Sequence, residues 1–462
     1  CTIHVFSTLE SSESFIDGIS KGGNNVVINL VNRAQIIAYD ILMRYPLYRV
    51  ADRFDKNISV LVVGAGTIGM EFAKAAMWCG VMNDYKFKIR ILDTTDRESE
   101  FRMKYPYFDD ELKNIGWNID YKFGVVDVNS SDFNQMLGIY GDVNYIVIAT
   151  GDDELNINVA SRVRRYYLKK CIRDGVPTGD NKLIEFNEPF IIPVISNADY
   201  YHILDKSAPD SNLCPYGSHS NIYKSETVNE WPVDVFARGI HNQYNDEAKR
   251  RDPNAYTSEY DDNSQTIKRS NRTNAVHILY KLKDIGIDMR RSYIGKDGDL
   301  QKKEQADEAK MLAMGYKPLE DRETLFRYLN NNKKVLSDLC KLEHNRWCVF
   351  ELLDGWASWS VDEVKKVYAS KFNSNSCADE YDHKQKNALL HAAIVSNQNL
   401  PEVSQALKQD RHNLVDYDEI VTAYIWKKGD GFFDKVDSFI KNEKDYVLKI
   451  YYDPSMLSFD EK

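Results

Sequence analysis

The stretch Ile58-Ser-Val-Leu-Val-Val-Gly64-Ala-Gly66-Thr-Ile-Gly69-Met-Glu-Phe-Ala-Lys-Ala-Ala76 decides the fold of this chain. Its first part is an apolar run rich in β-branched residues, which predicts a buried strand, and its last part has apolar residues at helical spacing. Glycines at three positions form a G-x-G-x-x-G turn between the two parts. A strand that enters such a turn and continues as a helix is the context of a dinucleotide-binding site.

Each residue of the turn has an expected role. Gly64 allows the tight turn, Gly66 lets a pyrophosphate approach the backbone, and Gly69 lets the helix pack close to the strand. Thr67 and Ile68 open the helix, whose free N–H groups and positive dipole end attract phosphate. We therefore predict that these five residues contact a bound nucleotide.

An acidic residue follows at the end of the next predicted strand, Phe87–Asp93. Asp93 lies close to the spacing of about 20 residues at which a carboxylate binds a ribose 2′-hydroxyl. This favours NAD or another adenosine nucleotide over NADP, although Arg97 is near enough to keep NADP open. A Rossmann-like sheet with an empty pocket is the alternative.

Two further strands extend the same predicted edge. Asp127 ends the strand predicted over Tyr121–Asp127, and Thr150 ends the one predicted over Val143–Thr150. Strands that alternate with helices predict a parallel sheet, in which ligands sit at the carboxyl ends of the strands. We therefore expect Asp127 and Thr150 beside the glycine turn, with loop capping as the alternative for Asp127.

The complete pattern predicts an α/β protein, in which a Rossmann-like, doubly wound parallel sheet is followed by a mostly α-helical region. We divide the chain into an α/β segment (1–50), a glycine-motif domain (51–235) and a helical domain (236–462). The first segment has the pattern strand, helix, strand, helix, and we expect it to complete a neighbouring sheet rather than bind a ligand itself. We also predict a strand over Asn221–Val228 and an exposed linker over 245–270.

The composition narrows the class of protein. A net charge of −10 over 462 residues argues against a nucleic-acid partner, because binding phosphate backbones requires clustered Lys and Arg. The seven cysteines form no C-x-x-C pair and no Cys/His cluster, which predicts reduced thiols, a cytoplasmic protein and no metal site. Because the chain begins at Cys1 rather than Met, we expect natural sequence upstream, and a membrane anchor there stays open.

A family resemblance covers the glycine-motif domain. The string Ile146-Val-Ile-Ala-Thr-Gly-Asp-Asp-Glu-Leu-Asn156 resembles a strand and loop of the TrkA-N family, the NAD-binding domains that regulate potassium transporters and channels. The resemblance implies a homo-oligomer that acts on a membrane or effector protein. It also implies which residues hold the adenosine of the nucleotide or line its pocket, namely Gly64, Gly66, Gly69, Asp93, Asp127 and Thr150.

The helix predicted over Val335–Leu353 carries the other candidate group, Glu343-His344-Asn-Arg346-Trp347, and ends near Trp356. Glu343, Arg346 and Trp347 lie at i, i+3 and i+4 and so share a helix face. An aromatic wall from Trp347 and Trp356, with Arg346 as a cationic fork, suits a planar or anionic ligand. The alternatives are a tryptophan in the core and an ion pair on the helix surface.

The segment Leu342–Trp356 is similar to the signature of the RyR domain, a small helical repeat of ryanodine receptors that also occurs in bacterial proteins. Asn413–Glu419 resembles a later turn of that domain. The resemblance implies a ligand or partner module whose ligand stays open. Its candidate ligand-binding residues are Glu343, His344, Arg346, Trp347 and Trp356.

Together these features favour a regulatory protein without catalytic residues. Nucleotide binding in the first domain would be relayed to the RyR-like domain, in ion-transport control or in a nucleotide-signalled bacterial defence system. One alternative is an NAD-dependent enzyme with His202 or His219 as the acid or base. A hydrolase centred on Glu343, His344 and Arg346 is a further alternative.

Overall fold

The computed structural model describes residues 2–8, 12–13, 16–17, 27–51, 56–173, 189–201, 212–229, 231–251, 253–255, 257–296, 298–319, 322–360, 362–363, 384–385, 389–406 and 446–457. Its strands are β1 (Thr2–Phe6), β2 (Val27–Val31), β3 (Asn57–Val63), β4 (Lys86–Asp93), β5 (Asp120–Val125), β6 (Tyr145–Ile148), β7 (Phe190–Pro193), β8 (Ile287–Tyr293), β9 (Lys317–Pro318), β10 (Ala357–Ser358), β11 (Lys384–Gln385), β12 (Leu390–His391) and β13 (Tyr446–Tyr452). Its α-helices are α1 (Arg33–Arg44), α2 (Thr67–Cys79), α3 (Arg97–Lys104), α4 (Phe108–Asn114), α5 (Asp132–Tyr140), α6 (Asp153–Arg173), α7 (His219–Ile222), α8 (Ser225–Asn229), α9 (Pro232–Arg251), α10 (Gln265–Asp284), α11 (Gly298–Ala313), α12 (Arg322–Asn331), α13 (Lys333–Leu353) and α14 (Leu400–Ala406).

A five-stranded sheet in the order β5-β4-β3-β6-β7 forms the centre of the fold, and every neighbouring pair in it is parallel. From Ile58 to Val63, β3 is buried on both faces, as its continuous apolar run predicts for a central parallel strand. Strand order reverses between β3 and β6, as it does in doubly wound sheets. The predicted α/β class with a parallel sheet is confirmed.

The helix that follows the glycine turn is covered on both sides. Buried side chains surround most of α2, including Phe72, Ala75, Met77 and Trp78. It packs against β3 and β4 on one side and against α1, α10 and α13 on the other. One hydrophobic cluster therefore includes residues of the sheet and of the C-terminal helices.

The N-terminal strands form a sheet of their own. β1 pairs with β2 in parallel, from Thr2 opposite Val27 to Phe6 opposite Val31. Within the described residues neither strand joins the five-stranded sheet, contrary to the expectation that this segment completes it. Asn32 caps α1 by accepting from the N–H groups of two residues in its first turn, and α1 then packs onto α2.

Two other predictions about secondary structure are wrong. Asn221–Val228 lies in α7 and α8 rather than in a strand. The region predicted as an exposed linker, 245–270, contains the end of α9 and the start of α10, and Lys268 within it is buried. The helical region also contains a sheet, in which β13 pairs with β8 and β9 in antiparallel fashion.

The predicted turn at Asn413–Glu419 lies outside the described residues. Among the described helices, none combines the length and the apolar character needed to cross a bilayer.

Candidate functional site

Two glycines of the G-x-G-x-x-G turn are required by the packing of the turn itself. Gly64 has φ +89°, and a Cβ there would lie 2.5 Å from the carbonyl oxygen of Ala149. A Cβ on Gly69 would lie 1.8 Å from the carbonyl oxygen of Gly64. No other residue fits at either position unless the backbone moves.

The middle glycine differs from its neighbours. A Cβ on Gly66 would meet nothing within 4 Å, and its φ of −68° is open to any residue. Gly66 is also the N-cap of α2 and makes no side-chain capping bond, whereas Asn32 caps α1 and Ser264 caps α10. The space in front of the first turn of α2 is therefore open, with Thr67 exposed and Ile68 half-buried beside it.

Asp93 holds the glycine turn from the neighbouring strand. One carboxylate oxygen accepts from the N–H of Ala65 at 2.7 Å, and the other accepts from the N–H and hydroxyl of Thr95 at 3.0 and 2.9 Å. Burial alone would raise the pKa of Asp93. The hydrogen bonds and the nearby Arg97 lower this pKa by more than burial raises it, so that it lies below its usual value. Asp93 is therefore ionised at neutral pH, within reach of a ligand on the turn.

The remaining predicted residues lie at the same edge of the sheet. Backbone hydrogen bonds join Gly64 to the end of β4, Val126 to Asp93, and Ala149 to the end of β3. Asp127 is exposed just beyond this edge, where its side chain accepts from the N–H of Asn129 at 2.8 Å. That local turn fits the capping alternative for Asp127.

Two residues that the sequence analysis did not include among the site residues fix the second half of the edge. Asn156 is buried, accepts from the N–H and hydroxyl of Thr150 at 2.9 and 2.7 Å, and donates to the carbonyl of Val194 at 2.7 Å. Asp153 accepts from the N–H groups that follow β7, at Ser196 and Asn197. The loops after β6 and β7 are therefore held together, and Thr150 contacts Asn156 directly.

The charged group of α13 is buried rather than on the helix surface. Arg346 donates two hydrogen bonds to Glu343 at 2.7 and 3.1 Å and a third to the hydroxyl of Thr273 at 2.7 Å. Lys281 of α10 lies 2.6 Å from the same carboxylate. Glu343, Arg346 and Lys281 are at most 2% exposed, so they join α10 to α13 through an internal ion cluster.

The aromatic residues near this cluster are also packed inside. The His391 ring is in edge-to-face contact with Trp347 and Trp356, with centroids 5.0 and 6.1 Å apart. His344 stacks on Trp347 and lies 2.9 Å from the carbonyl oxygen of Val395. Burial lowers the pKa of His344, which favours its neutral form. The structure gives the hydrolase alternative no accessible group here, and ligand binding by the five predicted RyR-like residues stays a prediction.

The described residues contain no group of His, Cys, Asp or Glu side chains that would hold a metal ion. Comparison with protein-family models, with curated proteins and with solved structures gives no match for this chain. The resemblances to the TrkA-N and RyR families therefore stay predictions.

Proposed function

We propose that this protein is a nucleotide-sensing regulator, which binds NAD or a related adenosine nucleotide at the carboxyl edge of the five-stranded sheet. The phosphates would lie over Gly66 and the first turn of α2, and the ribose would contact Asp93. As the resemblances imply, the RyR-like region would respond to the bound nucleotide and act on a further ligand or on a membrane or effector partner. We also expect a homo-oligomer.

The observation that carries this proposal is the open space at Gly66. Gly64 and Gly69 have structural reasons to be glycine, but none of the described residues lies within 4 Å of the position of a Cβ at Gly66. A ligand whose phosphates approach the backbone there would supply the missing reason. The absence of a side-chain cap on α2 supports the same conclusion, because a phosphate would satisfy its free N–H groups.

The packing of α2 supports a relay to the C-terminal region. The same helix that would receive the phosphates packs along α10 and α13, which carry the buried ion cluster. A ligand changes the balance of two conformations only when it binds them with different affinity. A shift of α2 on binding would reach α10 and α13 directly, because no layer separates them from it.

Thermal unfolding with millimolar NAD, ADP and AMP tests the proposal. We expect the wild-type protein to melt at a higher temperature with at least one of them, because the ligand binds only the folded state. Gly66→Val should melt close to the wild type without ligand but lose this shift. Gly298→Val is the matched control, since Gly298 also begins a helix and also faces open space. A nucleotide shift that survives in Gly66→Val would refute the proposed site.

One observation favours an NAD-dependent enzyme as the second candidate. The backbone N–H of His219 donates to the backbone carbonyl of Ser196 at 2.9 Å. This bond places the exposed histidine beside the loop that follows β7. His202 lies outside the described residues. Steady reduction of NAD in the presence of candidate substrates, abolished in His219→Ala, would support this alternative over the regulator.

A further inference from the structure

The carboxyl ends of two separate parallel sheets meet at one arginine. β2 ends at Val31 and continues through Asn32 into Arg33, the first residue of α1. β7 ends at Pro193, and Ser196 follows it in the next loop. Arg33 Nη2 donates to Ser196 Oγ at 2.6 Å and so joins the two ends. Because parallel sheets bind ligands at their carboxyl ends, Arg33 lies where two such edges adjoin.

Arg33 has no carboxylate in ion-pair contact within the part of the chain that the structure describes. Its other hydrogen bond goes to the carbonyl of Gly217 at 3.3 Å, and its buried Nε has no partner. Asp153 is within electrostatic reach, but its two oxygens accept from the N–H groups of Ser196 and Asn197. Burial lowers the pKa of Arg33, so this half-buried cation is unfavourable until an anion joins it.

Exposed aromatic rings lie beside this arginine. Tyr223, which is 38% exposed, donates its backbone N–H to the carbonyl of His219, and the backbone N–H of His219 donates to Ser196, the residue that Arg33 contacts. The ring of Phe6, 55% exposed, meets Tyr223 edge to face at 5.4 Å, and the exposed ring of His219 lies 5.7 Å from Tyr223. A flat ligand next to Arg33 would therefore find apolar ring surface to stack on.

The surrounding charge favours a ligand group with a single negative charge. The start of α6 carries three consecutive acids, Asp152, Asp153 and Glu154, and the charge of Asp153 acts on Arg33. A phosphate with two charges would be repelled by these acids. A carboxylate needs one cation, and its shape matches the planar fork of a guanidinium.

We propose that Arg33 binds the carboxylate of a flat aromatic acid. In the sheet, β7 lies two strands from β3, so the end of β7, near which Arg33 contacts Ser196, is about 10 Å from the end of β3 along the edge. That separation lets one dinucleotide extend from Gly66 to Arg33 with a carboxylated ring at its far end. The part of this proposal in which the aromatic acid belongs to a dinucleotide rests on the proposed function.

Calorimetric titration of two dinucleotides that differ in one group tests the inference. Nicotinic acid adenine dinucleotide has a carboxylate where NAD has an amide. We expect wild-type protein to bind the acid about tenfold more tightly than NAD, from one charge-assisted contact. Arg33→Gln should reduce this preference to about twofold or less, while its AMP affinity stays near wild type and shows that the sheet edge is folded.

The control removes the same charge from the other end of α1. Arg44 lies about 16 Å from Arg33 along the helix axis, so Arg44→Gln should keep the preference for the acid. Titration of nicotinate, with and without AMP, shows whether Arg33 binds a free aromatic acid or only one that is part of a dinucleotide. Binding of nicotinate alone that depends on Arg33 also supports the site. If neither the dinucleotide preference nor nicotinate binding depends on Arg33, the inference is wrong. A wild-type protein that binds none of NAD, ADP and AMP refutes the proposed function instead.

Discussion

Replacing Glu343 by glutamine tests whether one carboxylate holds the ion cluster between α10 and α13. The substitution keeps the shape of the side chain and removes its charge. Arg346 and Lys281 would then be two cations, each at most 2% exposed, without an anion between them. Breaking a buried ion pair from one side is strongly destabilising because it leaves uncompensated charge.

The pKa of Glu343 gives the size of the effect. Burial raises this pKa, but Arg346 and then Lys281 lower it to about 2, from an ordinary value of 4.5. That difference corresponds to about 3 kcal/mol of stability. It is fully present above the unfolded pKa, near 4.5, and is lost as the pH falls toward about 2. The variant also leaves Arg346 and Lys281 buried without their anion, so Glu343→Gln should lower the free energy of unfolding at pH 7 by about 3–5 kcal/mol.

Lys281→Met is the matched control because it removes the surplus cation and leaves the Glu343–Arg346 pair. Burial lowers the pKa of Lys281 to about 8, with Arg346 adding to burial and Glu343 opposing it. The charged lysine is therefore unfavourable at pH 7, and wild-type stability should rise as the pH passes from about 8 to 10.5. Lys281→Met should remain within about 1 kcal/mol of the wild type at pH 7 and lose this rise.

Urea unfolding followed by far-ultraviolet circular dichroism measures both variants. The decisive result is that Glu343→Gln loses more stability than Lys281→Met. This difference is expected because two cations share the single carboxylate of Glu343. A loss below about 1 kcal/mol in Glu343→Gln, or a loss in Lys281→Met as large as that in Glu343→Gln, would refute the reasoning.

Three further substitutions have expected outcomes in the same unfolding assay. Gly69→Ala should cost about 3 kcal/mol, because its Cβ would lie 1.8 Å from a backbone oxygen, and a neutral result would contradict the close packing. Asn156→Ala should cost about 2 kcal/mol by leaving the carbonyl of Val194 and the N–H of Thr150 without their partner, and should weaken nucleotide binding. Burial raises the pKa of Asp284 to about 7, so wild-type stability should fall as the pH rises from about 4 to 7. Asp284→Asn should therefore stabilise the protein by roughly 2–4 kcal/mol at pH 8 and by much less at pH 4. Equal stabilisation at the two pH values would contradict a raised pKa of Asp284.

The centre of the fold was predictable because its signals are local. The apolar run Ile58–Val63 has no polar alternation, which predicts burial on both faces, and the glycine turn fixes where the strand ends and α2 begins. Asp93 could be placed at the sheet edge because the end of a strand is visible in the sequence. That Asp93 also accepts from the N–H of Ala65 is a contact between the end of β4 and the glycine turn, which spacing along the sequence does not indicate.

The parts that failed depend on partners far away in the sequence. β8 contains Asp288, Arg290 and Arg291 and shows no clear strand pattern, and only its pairing with β13 defines it. Glu343 and Arg346 have the spacing of a surface ion pair on a helix. Their burial follows from Lys281 and Thr273 on α10, which complete the cluster from another helix.

The covering of α2 on both sides has a consequence for how the chain can be divided. A shortened protein that ends at residue 235 would keep the glycine turn but lose α10 and α13, and so would uncover the apolar side of α2 that they contact. Such a fragment would expose an apolar surface to water and would aggregate or bind other chains. Binding experiments on the glycine turn therefore require the longer polypeptide.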